Sequence, residues 1–152
     1  MKKFFFFLIS VLFLGVSSSK AQSQYVKKYL PLADSLSKLY QIPKQIFLGV
    51  AIIESGSGTS RNAKLLNNHF GIKGKNNLLN TKGIKSSYRQ FPSVEAGYVA
   101  FGELISRKKF YSTLKGNPSL EAWADAISKS GYPGNPSEWK RLVLSATKMV
   151  KK

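Results

Sequence analysis

Apolar residues recur at helical spacing along most of this chain, and one stretch in the middle breaks the rhythm. Tyr25, Tyr29, Leu32, Leu36, Leu39 and Tyr40 fall on one face, which predicts a helix over Tyr25–Tyr40 with Pro31 at a kink or restart. Ile42-Pro43 opens a second, strongly apolar helix that ends near Glu54, with the proline suited to a first turn, where no N–H is missed. Thr59 or Ser60 can cap a short helix through Leu66, and Asn67-Asn68 then breaks it. Further along, Ser93 precedes the apolar set Val94, Tyr98, Phe101, Leu104 and Ile105, and Ser119 precedes Leu120, Trp123 and Ile127. Asn135-Pro136-Ser137-Glu138 is a capping-box variant opening a last helix to about Val150. Between these, residues 73–90 show no helical period. Turn signals at Gly74, Asn76-Asn77 and Lys82-Gly83, with alternation over Ile84–Phe91, predict a short hairpin or a loop forming one lip of a cleft.

The second helix carries the most informative side chain. Phe47, Val50 and Ala51 stand seven, four and three residues before Glu54, so a carboxylate shares an apolar helix face. Desolvation and the negative end of the helix dipole both disfavour its charged form and raise its pKa. A general acid that protonates a leaving-group oxygen near neutral pH needs that condition. Gly56 and Gly58 follow at once, turning the chain without side chains and leaving room for a polymer. The plain alternative is a helix-end carboxylate that reaches water.

Longer strings decide between these readings. Ala51–Ser60, with its E-S-G-S-G-T-S run, is followed by Asn67–Lys73 (NNHFGIK), then Tyr88–Ser93 (YRQFPS), then Gly131–Pro136 (GYPGNP). Together, in this order, the segments resemble the bacterial glucosaminidase family of peptidoglycan hydrolases, which includes flagellum-associated and autolysin catalytic domains. The resemblance spans about Tyr25 to Val150. It implies a lysozyme-like α+β fold, mainly helical, in which the catalytic Glu ends a central helix and a small β-hairpin lobe faces it. It also implies Glu54 as the acid and Tyr132, the tyrosine of the G-Y motif, as a second catalytic group that positions the reacting sugar or stabilises charge. By local sequence alone Tyr132 equally suits an ordinary turn. Phe70 matches an aromatic near the cleft, where it either stacks on a sugar or packs in the core. Ser57 stands at a substrate-facing position where many members carry Trp, so one stacking surface is missing. Asn67 and Asn68 suit loop bracing better than substrate contact.

Composition narrows the setting. Lys2 and Lys3, the apolar run Phe4–Val16 and the small-x-small set Ser19-Lys20-Ala21 read as a secretion signal over residues 1–21, too short for a membrane anchor. The mature chain, residues 22–152, is then one domain of about 130 residues, exported to a periplasm or a cell wall. With no cysteine it has no disulfides, and its 43% hydrophobic content must supply the core. Removing the three signal lysines leaves 21 basic against 7 acidic residues, a net charge of +14 that favours polyanions. Export makes nucleic acid a poorer partner than an anionic wall polymer. The even spread of charge favours a monomer. His69 is the single histidine, which excludes a zinc site with the usual ligands, and no cofactor motif is present. A serine hydrolase has no strand–turn–helix elbow to stand on.

One expected feature is missing. Glycoside hydrolysis usually employs two carboxylates. Yet Lys75–Gln90, where many members of the family supply the second, holds no Asp or Glu. Asp34, Glu95, Glu103, Glu121, Asp125 and Glu138 all suit helix faces or first turns. The substrate's own 2-acetamido group, or a water held by Tyr132 or Asn77, would then complete the displacement. Attack by a sugar hydroxyl would instead make the enzyme a lytic transglycosylase. A wall-binding module without turnover, or a plain cationic polymer binder, are the non-enzymatic readings.

Overall fold

The computed structural model describes residues 18–150. Lys2–Val16, the charged and apolar parts of the expected signal, lie outside them, whereas Ser19-Lys20-Ala21 lies in the first turns of a helix. The described residues form helices α1 (Ser18–Tyr40), α2 (Lys44–Ser55), α3 (Arg61–Leu66), α4 (Leu78–Lys82), α5 (Val94–Ser106), α6 (Tyr111–Leu114), α7 (Leu120–Ser128) and α8 (Pro136–Thr147).

The middle of the molecule is α2. Every residue from Ile46 to Ile52 is buried, so the helix is covered on all sides, by α1, α8, α7 and α5. Each large side chain so buried contributes about 1.5–3 kcal/mol, which makes α2 the axis the other helices pack around. Its approach to α8 depends on Gly49. A Cβ there would stand 2.9 Å from Thr147 Cγ2 and 3.2 Å from the Val143 carbonyl oxygen. Glycine weakens an isolated helix by about 1 kcal/mol; here it lets two backbones touch.

Helix starts follow the side chains expected to cap them. Ser60, Ser93, Ser119 and Asn135 each accept a hydrogen bond from an N–H in the first turn of α3, α5, α7 and α8. Pro136 sits in the first turn of α8. Helix α1 runs through Pro31 without a restart.

The β-hairpin lobe is not seen. In its place, residues 71–92 form a mostly irregular insert holding α4 and one isolated antiparallel bridge, Lys73 with Tyr88. Side-chain amides explain the missing ladder. Asn68 Nδ2 donates to the carbonyls of Ile72 and Arg89, each at 2.8 Å, and Asn76 Nδ2 donates to those of Ser86 and Tyr88, each at 2.9 Å. Asn68 accepts from the Ile72 N–H and donates to the Arg89 carbonyl, two groups that would have bonded each other in a longer ladder, while the Arg89 N–H still reaches the Ile72 carbonyl at 2.8 Å. Residues 84–91 bond residues 72–75 through a few backbone groups around this bridge, and no hairpin ladder forms.

Candidate active site

Helix α2 ends abruptly. Gly56 takes a left-handed conformation (φ 55°), and its N–H and that of Ser57 both return to the Ile52 carbonyl. The chain therefore leaves the helix one residue past Ser55, and Glu54 is held in the last turn. Its carboxyl is mostly buried, and burial raises its pKa above the ordinary carboxylate value; a hydrogen bond from Trp139 only partly offsets this. That bond runs from Trp139 Nε1 to Glu54 Oε1 at 2.6 Å. The other oxygen faces Gly71, where an added Cβ would stand 3.4 Å from Glu54 Oε2 and 3.8 Å from Tyr88 Cε1. Gly71 has φ +65°, so glycine suits both the backbone and the space beside the carboxyl.

Tyr132 closes the other side. Its hydroxyl donates to the Phe70 carbonyl, and its ring meets Trp139 edge-on at 5.8 Å and Phe101 at 6.0 Å. Burial and the nearby charge of Glu54 hold its pKa well above the usual tyrosine value. Tyr132 thus stays a neutral dipole and cannot serve as a base near neutral pH.

The Phe70 ring takes the core-packing alternative. It stacks on Phe101 at 4.4 Å, meets Tyr98 edge-on at 4.7 Å and is 1% exposed, so it offers no face to a sugar. What it brings to the site is its carbonyl. Asn67 and Asn68 are braces. Asn67 caps α3 in a left-handed conformation and donates to the Phe91 carbonyl, while Asn68 Oδ1 accepts from the N–H groups of Phe70 and Ile72. Ser57 lies in the turn after α2 with φ 57°. Asn77 lies out on the insert, where its N–H donates to Gln90 Oε1 and its Oδ1 accepts from Asn80.

The residues matched by the glucosaminidase profile, whose full description is mannosyl-glycoprotein endo-beta-N-acetylglucosaminidase, are 30–152. The chain belongs to the glucosaminidase family. An N-acetylmuramoyl-L-alanine amidase domain-containing protein of Staphylococcus aureus is 32% identical over 129 residues, covering 83% of this chain and 19% of that relative. The chain thus spans about a fifth of the curated relative's length. A C-terminally truncated glycoside hydrolase domain from Salmonella typhimurium FlgJ superposes with TM-score 0.66 at 19% identity, covering 85% of this chain and 97% of that one. A peptidoglycan hydrolase from Sphingomonas sp. A1 superposes with TM-score 0.64 at 19% identity, covering 84% and 92%. At such identity these two structures speak for the fold.

Within this glucosaminidase-family domain, Glu54 is the one carboxylate in the site. All seven acidic residues are described, and five of the others pair with cations on helix surfaces. Asp34 meets Lys38 and Lys44, Glu103 meets Arg107, Glu121 and Asp125 share Lys140, and Glu138 meets Arg141. Glu95 lies in the first turn of α5, where backbone and Ser93 hydrogen bonds hold its pKa down. Among the described residues no group of three or more His, Cys, Asp or Glu could hold a metal, and no helix is long and apolar enough to cross a membrane.

Two members of the site were missed from the sequence. Trp139 bonds a residue 85 positions away, and no local spacing connects them. Tyr88 belongs to the YRQFPS string but carried no assigned role; it borders Gly71 opposite Glu54, with Lys73 Nζ 3.7 Å from its ring centroid. His69, in contrast, is wholly structural. It is 4% exposed and shares a 2.6 Å hydrogen bond through Nδ1 with the Tyr25 hydroxyl, which in turn pairs with Tyr98 at 2.9 Å.

Proposed function

We propose that this chain is an exported peptidoglycan hydrolase that cuts the β-1,4 bond after N-acetylglucosamine, with Glu54 as general acid. The observation that carries this reading is the environment of Glu54. Burial favours its protonated form, and the Trp139 N–H occupies Oε1 as an acceptor, which leaves Oε2 to carry the proton when the carboxyl holds one. That oxygen faces the side-chain-free surface of Gly71, where a glycosidic oxygen can approach. Protonating the leaving oxygen there makes the bond break without an alkoxide forming. Peptidoglycan as the substrate is supported by the family and by what the Sphingomonas structure's name says of that protein.

The second half of the displacement falls to the substrate or to water, because no other carboxylate stands near. The 2-acetamido group acts as internal nucleophile, or a water is held beside the neutral Tyr132 hydroxyl. The same isolation of Glu54 favours one second reading. In a lytic transglycosylase a sugar hydroxyl attacks, and the products carry anhydro ends. Export rests on the signal pattern at residues 1–21.

The test is digestion of purified peptidoglycan by residues 22–152 and by the Glu54→Gln variant, with released ends identified by mass spectrometry. Wild type is expected to release reducing N-acetylglucosamine ends, and the variant to lose at least about 10³-fold in rate with its fold intact. Anhydro-muramic ends would move the chain to the transglycosylases. Wall binding by both proteins without release by either would leave a binding module.

A further inference from the structure

We propose that the insert recognises carboxylates on the peptide stems of the wall polymer, through an open depression beside the cleft with Lys75 as its cation. The proposal rests on the peptidoglycan reading above and names which part of the polymer this surface takes. Lys75, Asn76, Asn77, Gln90, Phe91 and Pro92 line a depression of about 380 Å³. Amide groups, one ammonium and an apolar floor suit a short acidic peptide better than a sugar ring, which favours aromatic faces. Here the lining aromatic, Phe91, is buried and already carries the Arg89 guanidinium 4.8 Å from its ring.

Charge points the same way. Residues 71–92 contain Lys73, Lys75, Lys82, Lys85 and Arg89 and no acidic residue, whereas five of the acids elsewhere are each paired to a cation. The insert therefore carries basic residues and no acid of its own, and it begins at Gly71, the glycine that faces the candidate acid. Such a field draws in carboxylates and falls off with salt.

Position completes the argument. Tyr88 borders Gly71 at the cleft, and Gln90, two residues further along the chain, lines the depression. Two residues of chain span at most about 7 Å. A substituent hanging from a sugar bound at Glu54 therefore has the depression within reach. The insert's framework holds the surface in place: Gln90 N–H donates to the Lys75 carbonyl at 3.0 Å, and the Gln90 side chain accepts from Asn77.

The test compares glycan strands bearing their stems with strands stripped of stems by an amidase, at low and high salt. Wild type is expected to cleave the stem-bearing strands about fivefold faster at low salt, and that ratio should shrink toward one at high salt. Lys75→Glu should collapse the ratio to about one and Lys75→Gln should lower it part-way, while exposed Lys115→Glu, at the far end of α6, should leave it unchanged. Equal rates on both strands by wild type, or a Lys75→Glu loss that is equal on both, would overturn the proposal. Cosedimentation of Glu54→Gln proteins with the two strand preparations reads the same preference without turnover. If wild type cleaves neither substrate, the glycosidase reading fails by itself, and retention of the stem-bearing strands, lost with Lys75→Glu, still decides this one.

Discussion

The two sides of the candidate cleft are built by opposite means. On one side Glu54, Trp139 and Tyr132 stand on or beside α2 and α8, helices locked by close backbone contact at Gly49 and by buried aromatic rings. On the other, the insert has almost no core of its own beyond Leu78 and Phe91 and is tied together by asparagine amides. Packing sets the position of the acid to within the tolerance of a helix core. Hydrogen bonds set the facing lip, with few large apolar side chains behind them. The difference suits a division of labour: the reacting proton needs a fixed, dry place, whereas a polymer with varied substituents needs a lip whose surface is polar.

The sharpest way to break that contrast is Asn68→Ala. Asn68 is 1% exposed and bonds four backbone groups on both edges of the insert. Removing it takes the acceptor from the N–H groups of Phe70 and Ile72 and a donor from the Arg89 carbonyl, and an expected loss of about 4 kcal/mol follows. Hydrogen exchange should quicken throughout residues 71–92 well before it does in α2. Uniform acceleration in both regions would show that the insert is not a separate unit.

The same contrast explains what could be read from the residues and what could not. Ser60, Ser93, Ser119 and Asn135 act on N–H groups within three residues of themselves, so their helices were legible as short strings. Glu54 was legible because helical periodicity alone sets it on an apolar face. On the insert the loop alternative stands and the hairpin fails, because Asn68 and Asn76 reach carbonyls up to 21 positions away and so hold the chain without the ladder that its alternation suggested. The short α4 and α6, at five and four residues, are below the length at which periodicity means anything. Trp139 to Glu54 and Tyr132 to Phe70 span 85 and 62 positions. Only the folded chain brings them together.

A smaller effect separates the two regions by pH. His69 lies buried between Tyr25 and Tyr98, and desolvation, with some help from the charge of Lys28, pushes its pKa down to about 4 from 6.5. The unfolded chain therefore binds a proton below pH 6.5 that the folded chain refuses. Stability is full above 6.5 and falls as pH drops toward 4, by about 3 kcal/mol in all. Urea titrations of wild type and His69→Gln between pH 4 and 7 should show this slope in the first and a flatter line in the second. Glu54 has the opposite sign. Its raised pKa adds stability at pH values below the unfolded carboxyl's and loses it as pH rises through the folded value. Glu54→Gln should therefore be no less stable than wild type at pH 7.

The finest probe of the helical side is Trp139→Phe, a change of one N–H donor with most of the ring kept. The indole N–H stabilises the carboxylate form, so deleting it moves the Glu54 pKa further up, the direction in which burial already pushes it. A general acid works while protonated, so the alkaline limb of the pH–rate profile should shift to higher pH. Near neutrality the protonated fraction rises, but Oε1 loses the bond that orients the carboxyl toward Gly71, and the maximal rate should fall about tenfold. These two effects have different signatures. A lower plateau with an unmoved limb would mean that Trp139 only fills space beside Tyr132. A moved limb with an unchanged plateau would mean that packing from α2 suffices to aim the acid. Both changes together are the outcome expected of a positioning residue that also tunes the proton.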